Sequence, residues 1–194
     1  MMKLTEIVSL RSGSPQFRIK ESSNDSAPTY FYYGQQEMDD DLIGLAQEEA
    51  SSKNKKAIRT NDEVSTLKTG DLIFSLITGK ASVVGSSHDG YLFTQNFVKI
   101  TPSSSVDVRY FVYLLNENDD IRRQLLKGQQ GSKVLKYTIK QLSDLFIPDL
   151  PPLEMQQIIG ELYFNQLKLS ALKRHQSVLE TKLVMGKIRR AHQL

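Results

Sequence analysis

Apolar and polar positions divide this chain into two regimes. Up to about residue 150, apolar residues come in short blocks separated by Gly, Pro and small polar residues, the pattern of short strands and helices in a globular unit. Beyond it they recur every three or four residues, the period of one long helix. Residues 4–11 open the chain with a short element, and a Ser/Gly/Pro/Asn-rich segment follows to about residue 29. Tyr30-Phe-Tyr-Tyr33 predicts an aromatic strand ending at Gly34. Residues 35–69 are polar and charge-patterned and give no clear element. Residues 70–77, Gly-Asp-Leu-Ile-Phe-Ser-Leu-Ile, predict a mostly buried strand, with further strands at 81–85 and 91–101 and a tight turn at Asp89-Gly90 between them. Asp107 is placed to cap a helix carrying Phe111, Val112, Leu114 and Leu115. A basic helix over 120–127 stops at Gly128, which suits a left-handed C-cap, and the loop Gly128-Gln-Gln-Gly-Ser132 follows. A short element at 138–145 completes an α+β fold with a strand-rich core.

The junction between the regimes is Phe146-Ile-Pro-Asp-Leu-Pro-Pro-Leu-Glu-Met-Gln-Gln-Ile-Ile159. A short strand ends at Pro148, and Pro151-Pro152 forbids both a continuing strand and a preceding helix. Pro152 fits the first helical position, with Glu154 in the first turn at the positive helix end. These features predict two parts, a globular domain over 1–150 and a hinge with a long helix over 151–194. The helix runs without Pro to about residue 190, a span of roughly 55 Å at 1.5 Å per residue. Heptad phasing puts Leu162, Leu169, Gln176 and Leu183 at one seam position and Ile158, Asn165, Leu172, Leu179 and Gly186 at the other. A two-stripe seam of this length predicts a coiled coil; the alternative is a helix packed on its own globular part. An antiparallel pair of copies centred between Ser170 and Ala171 sets Asn165 against Gln176 of the second copy, sparing either amide an unsatisfied burial of about 1–3 kcal/mol. The same register pairs Ile158 with Leu183, Leu162 with Leu179 and Leu169 with Leu172.

Composition narrows the function more than it identifies it. The chain has 39% hydrophobic residues, enough for a packed core, and no cysteine, which removes disulfides, thiolate nucleophiles and thiolate metal sites. No apolar run approaches the ~20 residues of a membrane span. The opening Met-Met-Lys-Leu-Thr-Glu-Ile has no apolar signal core, so a cytoplasmic location with no membrane association is expected.

Candidate catalytic arrangements fail on geometry. Ser87-His88-Asp89 are adjacent and cannot align as nucleophile, base and orienter, so a turn is expected there. His88, His175 and His192 lack metal-ligand spacing. Gly79-Lys80 lacks the upstream glycine and following Ser/Thr of a phosphate-binding loop. Asp149-Leu-Pro-Pro-Leu153 has an inserted Leu and no aromatic residue where an amino-methyltransferase motif needs one. The expectation is a protein that is not an enzyme and that uses no metal or cofactor.

Net charge is +3, but the basic residues cluster. Lys53, Lys55, Lys56 and Arg59 follow an acidic stretch, and Arg122, Arg123, Lys127, Lys133, Lys136 and Lys140 fall in a segment without Asp or Glu. Such patches are either solvated surface or a phosphate-binding footprint. On the binding reading, Asn54, Arg59, Gln129 and Gln130 are suited to read bases, because Asn/Gln pair with adenine and Arg with guanine in the major groove. Gln129-Gln130 reads equally as a polar turn. Tyr30, Tyr32 and Tyr33 are expected in the core rather than stacked on bases.

Several of these segments resemble the specificity (S) subunits of type I restriction–modification systems. The junction is similar to their "IPLPP-LxEQ" hinge, with Asp149 inserted and Met155-Gln156 in place of Glu-Gln. Gly70-Asp-Leu-Ile-Phe-Ser, Thr78-Gly-Lys-Ala-Ser-Val-Val84 and Thr94-Gln-Asn-Phe-Val-Lys-Ile-Thr-Pro102 resemble their "GD-I-FS…GK-A-V…NF-I-P" series in order and spacing, over roughly residues 70–187. Leu76 stands where that family often has Arg. The resemblance implies a target-recognition domain that binds double-stranded DNA, a contact role for Lys80, and a spacer helix that holds a DNA methyltransferase (modification) subunit. Family members generally carry two recognition domains and two helices. One of each here implies a homodimer, or pairing with another half, that reads an inverted, gapped site. The rival expectation is a coiled-coil protein that binds the methyltransferase without recognising DNA.

Overall fold

The structure, a computed structural model, describes residues 1–44, 55–127 and 136–192. Elements run in the order β1 (Met2–Lys3), α1 (Leu4–Ile7), β2 (Val8–Ser12), β3 (Thr29–Tyr33), α2 (Gln35–Ile43), β4 (Ala57–Arg59), β5 (Leu72–Ser75), β6 (Ala81–Val83), β7 (Leu92–Phe93) and β8 (Phe97–Pro102). Helices α3 (Val108–Glu117), α4 (Asp119–Lys127) and α5 (Ile139–Ser143), strand β9 (Phe146–Ile147) and the long α6 (Leu153–His192) follow. Mixed sheet and helix with a long C-terminal helix is the α+β architecture expected from the pattern.

β5 is the centre of the domain. It pairs antiparallel with β8 and β6 in a four-stranded sheet of order β2-β8-β5-β6. Its unbroken apolar run lets it serve two cores, one on each face. Leu72 and Phe74 join Val98, Ile100, Phe111 and Leu115 under α3, while Ile73 faces Tyr33, Tyr91, Phe93 and Phe97. The second core is closed by a small sheet of order β4-β3-β7, in which β3 and β7 run parallel. β1 pairs with β9, so the start of the chain is tied to the strand before the hinge.

Three sequence expectations need correction. The single strand over 91–101 is two strands in different sheets, β7 and β8, broken where Phe97 N–H bonds to Thr94 O at 2.9 Å. The Asp89-Gly90 turn exists: Tyr91 N–H closes on His88 O at 3.3 Å around Gly90 at φ 76°. It leads out of a short 3₁₀ turn, Ser86–His88, and does not join a hairpin. Pro152 stands just before α6 and gives its carbonyl to Gln156 N–H at 3.0 Å, so the helix begins one residue later than expected.

α6 has 40 residues, about 60 Å of helix. Its first half lies on α3. At the crossing, Gly160 is so close that a Cβ there would stand 2.6 Å from Tyr110 N. Gln156 fixes the approach angle: buried, it accepts from Asp107 N–H at 2.9 Å and donates to the Ser105 and Pro151 carbonyls. Asp107 itself caps α3, accepting from Tyr110 N–H at 2.8 Å. Further along, Tyr163 donates to Glu117 at 2.9 Å, and partial burial holds its hydroxyl far above the usual tyrosine range. The packed-helix alternative therefore describes residues 156–171, and the exposed seam described below belongs to the same helix.

Candidate nucleic-acid interface

The first basic cluster is mounted on the small sheet. Lys56 precedes β4, and its Nζ lies 5.2 Å from the centre of the Tyr32 ring. Lys55 Nζ bonds Tyr91 Oη at 2.9 Å, and the Phe31 ring lies 5.6 Å from that of Tyr91 between centres. Arg59 ends β4 and pairs with Asp25. Cations held over aromatic rings and still largely solvated can meet phosphates without leaving those rings. The core expectation for the tyrosines holds for Tyr33 alone. Tyr30 and Tyr32 point to the opposite face of β3 and are half-buried, and Phe31 is 41% exposed. Burial and Glu21 raise the Tyr32 hydroxyl's pKa, keeping it a donor.

The second cluster is split by helix geometry. Arg122 shares a groove of about 190 Å³ with Thr78, Lys80 and Tyr137. Arg123, one residue on and roughly 100° around α4, pairs with Asp120 and faces a different groove with Gln124 and Phe146. Lys136 donates to Asn96 at 2.7 Å. Asn96 and Tyr137 are bonded to the two sides of the Leu76 main chain, which gathers Lys80, Arg122 and Lys136 around the β5–β6 loop. That loop explains the Gly-Lys step: Gly79 has φ 69°, and a Cβ there would strike the Tyr137 ring at 2.5 Å. Leu76 is buried in the main core, so its side chain offers no contact in place of the family's Arg. Lys53, Asn54, Gln129, Gln130 and Lys133 lie outside the described residues.

Sequence reasoning missed a buried polar network beside the first cluster. Asp41 on α2 receives Tyr33 Oη–H at 2.9 Å on one oxygen and His88 Nδ1 at 2.8 Å on the other. Burial, then Asp41, drives the Tyr33 hydroxyl far above its ordinary pKa. His88 stacks edge-on against Tyr91, 5.0 Å between ring centres, so the network backs the ring that carries Lys55. Its members come from three separate stretches of chain and leave no local signal. The turn expected at Ser87-His88-Asp89 is present, with His88 serving as a buried strut.

The seam residues of α6 are exposed. Ile158 is 53%, Leu162 63%, Leu169 46%, Leu172 45%, Leu179 49% and Leu183 60% accessible, and Asn165 and Gln176 are exposed between them. The covered face, Gln156, Gly160, Tyr163 and Leu167, lies roughly half a turn around the helix from that seam. Among the described residues no group of His, Asp and Glu is placed to hold a metal ion, and no helix is long and apolar enough to cross a membrane.

The fold and site together define a compact α+β domain with basic loops, mounted on a helix that presents an apolar seam. The chain belongs to the family of the type I restriction modification DNA specificity domain, whose model matches residues 1–180. Three solved structures share its fold. The HsdS subunit from Thermoanaerobacter tengcongensis is 21% identical over 90% of this chain and 39% of its own, with a TM-score of 0.54. A chain from a study of complex assembly and conformational transition of the type I R-M system is 21% identical over 94% of this chain and 42% of its own, at a TM-score of 0.59. The type I S subunit from M. genitalium is 14% identical over 95% of this chain and 42% of its own, at 0.51. At these identities the likeness is one of fold, and this chain spans about two-fifths of each. A comparison with curated protein sequences finds no match.

Proposed function

We propose that the chain is a DNA-recognition half-unit that carries out no chemistry itself and selects where a partner methyltransferase (modification) subunit acts. Its target-recognition domain, residues 1–150, binds double-stranded DNA through residues drawn from Lys53, Asn54, Lys55, Lys56, Arg59, Lys80, Arg122, Arg123, Gln129, Gln130, Lys133 and Lys136. Its hinge and helix, residues 151–194, pair with a second copy, and two-fold symmetry then makes the target an inverted sequence whose gap is fixed by helix length. The observation that carries the reading is the seam: six large apolar side chains, 45–63% exposed, on the helix face turned away from the domain. Such a stripe is stable in water only when another helix covers it. The antiparallel register that matches Asn165 with Gln176 of the second copy also brings Glu161 beside Lys182 across the flank, twice by symmetry.

The chain lacks cysteine, so an Asn165→Cys, Gln176→Cys variant tests this register directly. A disulfide between positions 165 and 176 of two copies is expected on oxidation. Cross-linking of an Asn165→Cys single variant to itself would refute the register, and a monomer at micromolar concentration would refute the pairing.

One observation favours the rival, an interaction protein that has lost DNA recognition. Residues 1–152 carry eighteen Lys and Arg against nineteen Asp and Glu, so the domain as a whole is not basic. The two readings separate on salt. A recognition domain loses orders of magnitude in duplex affinity between 50 and 200 mM salt, approximately as expected for several phosphate contacts. The rival binds no duplex at either concentration.

A further inference from the structure

The loop between β5 and β6, residues 76–80, is tied to four separate stretches of chain. Ser75 Oγ, at its base, accepts from Ile77 N–H at 3.3 Å and Thr78 N–H at 3.2 Å, and donates to Gln35 Oε1 on α2 at 3.2 Å. Leu76 N–H donates to Asn96 O and Leu76 O accepts from Tyr137 N–H, both at 2.8 Å. Gly79 N–H closes the turn on Ser75 O at 2.9 Å. At the far end the buried Asn116 side chain of α3 accepts from Ala81 N–H at 2.7 Å and donates to Ala81 O at 2.9 Å. The loop's shape is therefore set before anything binds to it.

This fixed loop holds one large apolar side chain out in solvent. Ile77 is 52% exposed, whereas Leu76 before it is buried. Around it stand cations: Lys80 and Arg122 share the groove lined by Thr78 and Tyr137, and Lys136 is bonded to Asn96. A lone exposed isoleucine is ordinary on a protein surface; one on a fixed loop among three cations is suited to a particular contact. The cations attract a phosphate backbone to the loop. The apolar group that a base pair then presents in the major groove is the C5-methyl of thymine. The end of the β5–β6 hairpin is a two-stranded ribbon, a shape that the ~12 Å major groove admits. Isoleucine has no π-face on which an unpaired base would stack, so a methyl contact is what its branched side chain offers.

We propose that Ile77 is a specificity-determining residue, which packs against the C5-methyl of a thymine at one fixed position of the bound duplex while Lys80 and Arg122 hold phosphates beside it. This rests on the reading that the domain binds double-stranded DNA, and adds to it one residue and the base that it reads. Ser75 and Asn116 are positioning residues for the contact, because they fix the loop that carries it.

The test uses the full chain and the duplex that it retains from a random library, with each thymine replaced in turn by deoxyuridine. That replacement removes the C5-methyl and keeps every hydrogen-bonding group of the base. With the wild-type chain at least one replacement is expected to weaken binding about 4-fold, the effect of burying one methyl-sized group. In Ile77→Ala one such position should bind thymine and deoxyuridine alike, with the other positions responding as before and Tm unchanged, since the side chain is exposed. The proposal is overturned if no replacement weakens wild-type binding, if the retained sequence has no A·T pair, or if Ile77→Ala responds to every deoxyuridine as the wild type does. Weaker binding by Ile77→Ala with no response to deoxyuridine in either chain would identify a wedge between base steps, and would overturn it too. Failure of the recognition reading is separately visible: the wild-type chain would retain no duplex at low salt, and the assignment would fall with it.

Discussion

Gly160→Ala isolates the contact that sets how the long helix is mounted on the domain. A Cβ at this position would stand 2.6 Å from Tyr110 N, 2.8 Å from Arg109 Cβ and 2.9 Å from Arg109 C. Ordinary contact begins near 3.4 Å, so α3 and α6 must part by roughly 0.8 Å at their crossing. Two of the three obstacles are backbone, and the crossing is pinned from both sides by the Gln156 and Tyr163 hydrogen bonds, so no side chain can swing aside. Overpacking of this kind costs about 1–3 kcal/mol, against a gain of about 1 kcal/mol from replacing a mid-helix glycine. The steric term is the larger: a net loss of up to about 2 kcal/mol and a fall in Tm of up to roughly 8 °C are expected by circular dichroism. Gly186 supplies the control, since nothing lies within 4 Å of its missing Cβ. Gly186→Ala should keep or raise helicity, with a gain of up to about 1 kcal/mol. A Gly160→Ala protein as stable as Gly186→Ala would refute the close crossing.

Gln156→Ala removes the partner of Asp107 N–H and of two carbonyls. It should cost about 2–3 kcal/mol by urea unfolding, and a cost near zero would mean that water replaces all three bonds. Lys55→Ala and Lys56→Ala should leave Tm nearly unchanged and lower the salt slope of duplex binding by about 0.9 for each phosphate that the lysine neutralises; an unaltered slope would remove those residues from the interface. Asp89 is exposed, and the Thr69 backbone N–H, then its hydroxyl, hold its carboxyl below the ordinary range. A depressed carboxyl stabilises the fold above its unfolded pKa of about 4, and that contribution disappears as pH falls through the folded value. The stability gap between wild type and Asp89→Ala should therefore narrow from pH 7 to the acid side of the carboxylate range, and a constant gap would contradict the assignment.

The sequence was most legible where one residue has one physical use. Asp107 as a cap, the Pro151-Pro152 stop and the unbroken Leu-Ile-Phe of β5 each allow few structures. The split of 91–101 was hidden because both halves are buried, so Tyr91-Leu-Phe and Phe97-Val read as one apolar run around Thr94-Gln95-Asn96. What bends the chain there is distant: Gln95 N–H bonds Ser14 O, and Gly13 lets that segment lie against Phe93 and Thr94 where any side chain would clash. α2 escaped notice because its buried apolar residues are only Met38 and Leu42, set among four acids. In the candidate interface, sequence located the lysines but not their settings. Nothing local to Lys55 announces Tyr91, and nothing local to Asp41 announces His88, 47 residues away. For α6 the heptad pattern showed which residues form a stripe; only the packing of α3 showed which stripe is already covered.

Function on this reading requires that two copies joined through α6 recognise one divided DNA site. The direct measurement is selection of the purified chain against a random duplex library at low salt, followed by sequencing of the retained DNA. An enriched inverted motif with a fixed gap is the predicted result, and its gap would report the spacing set by the paired helices. Retention of DNA with no shared sequence, or enrichment of a single undivided half-site, would contradict it.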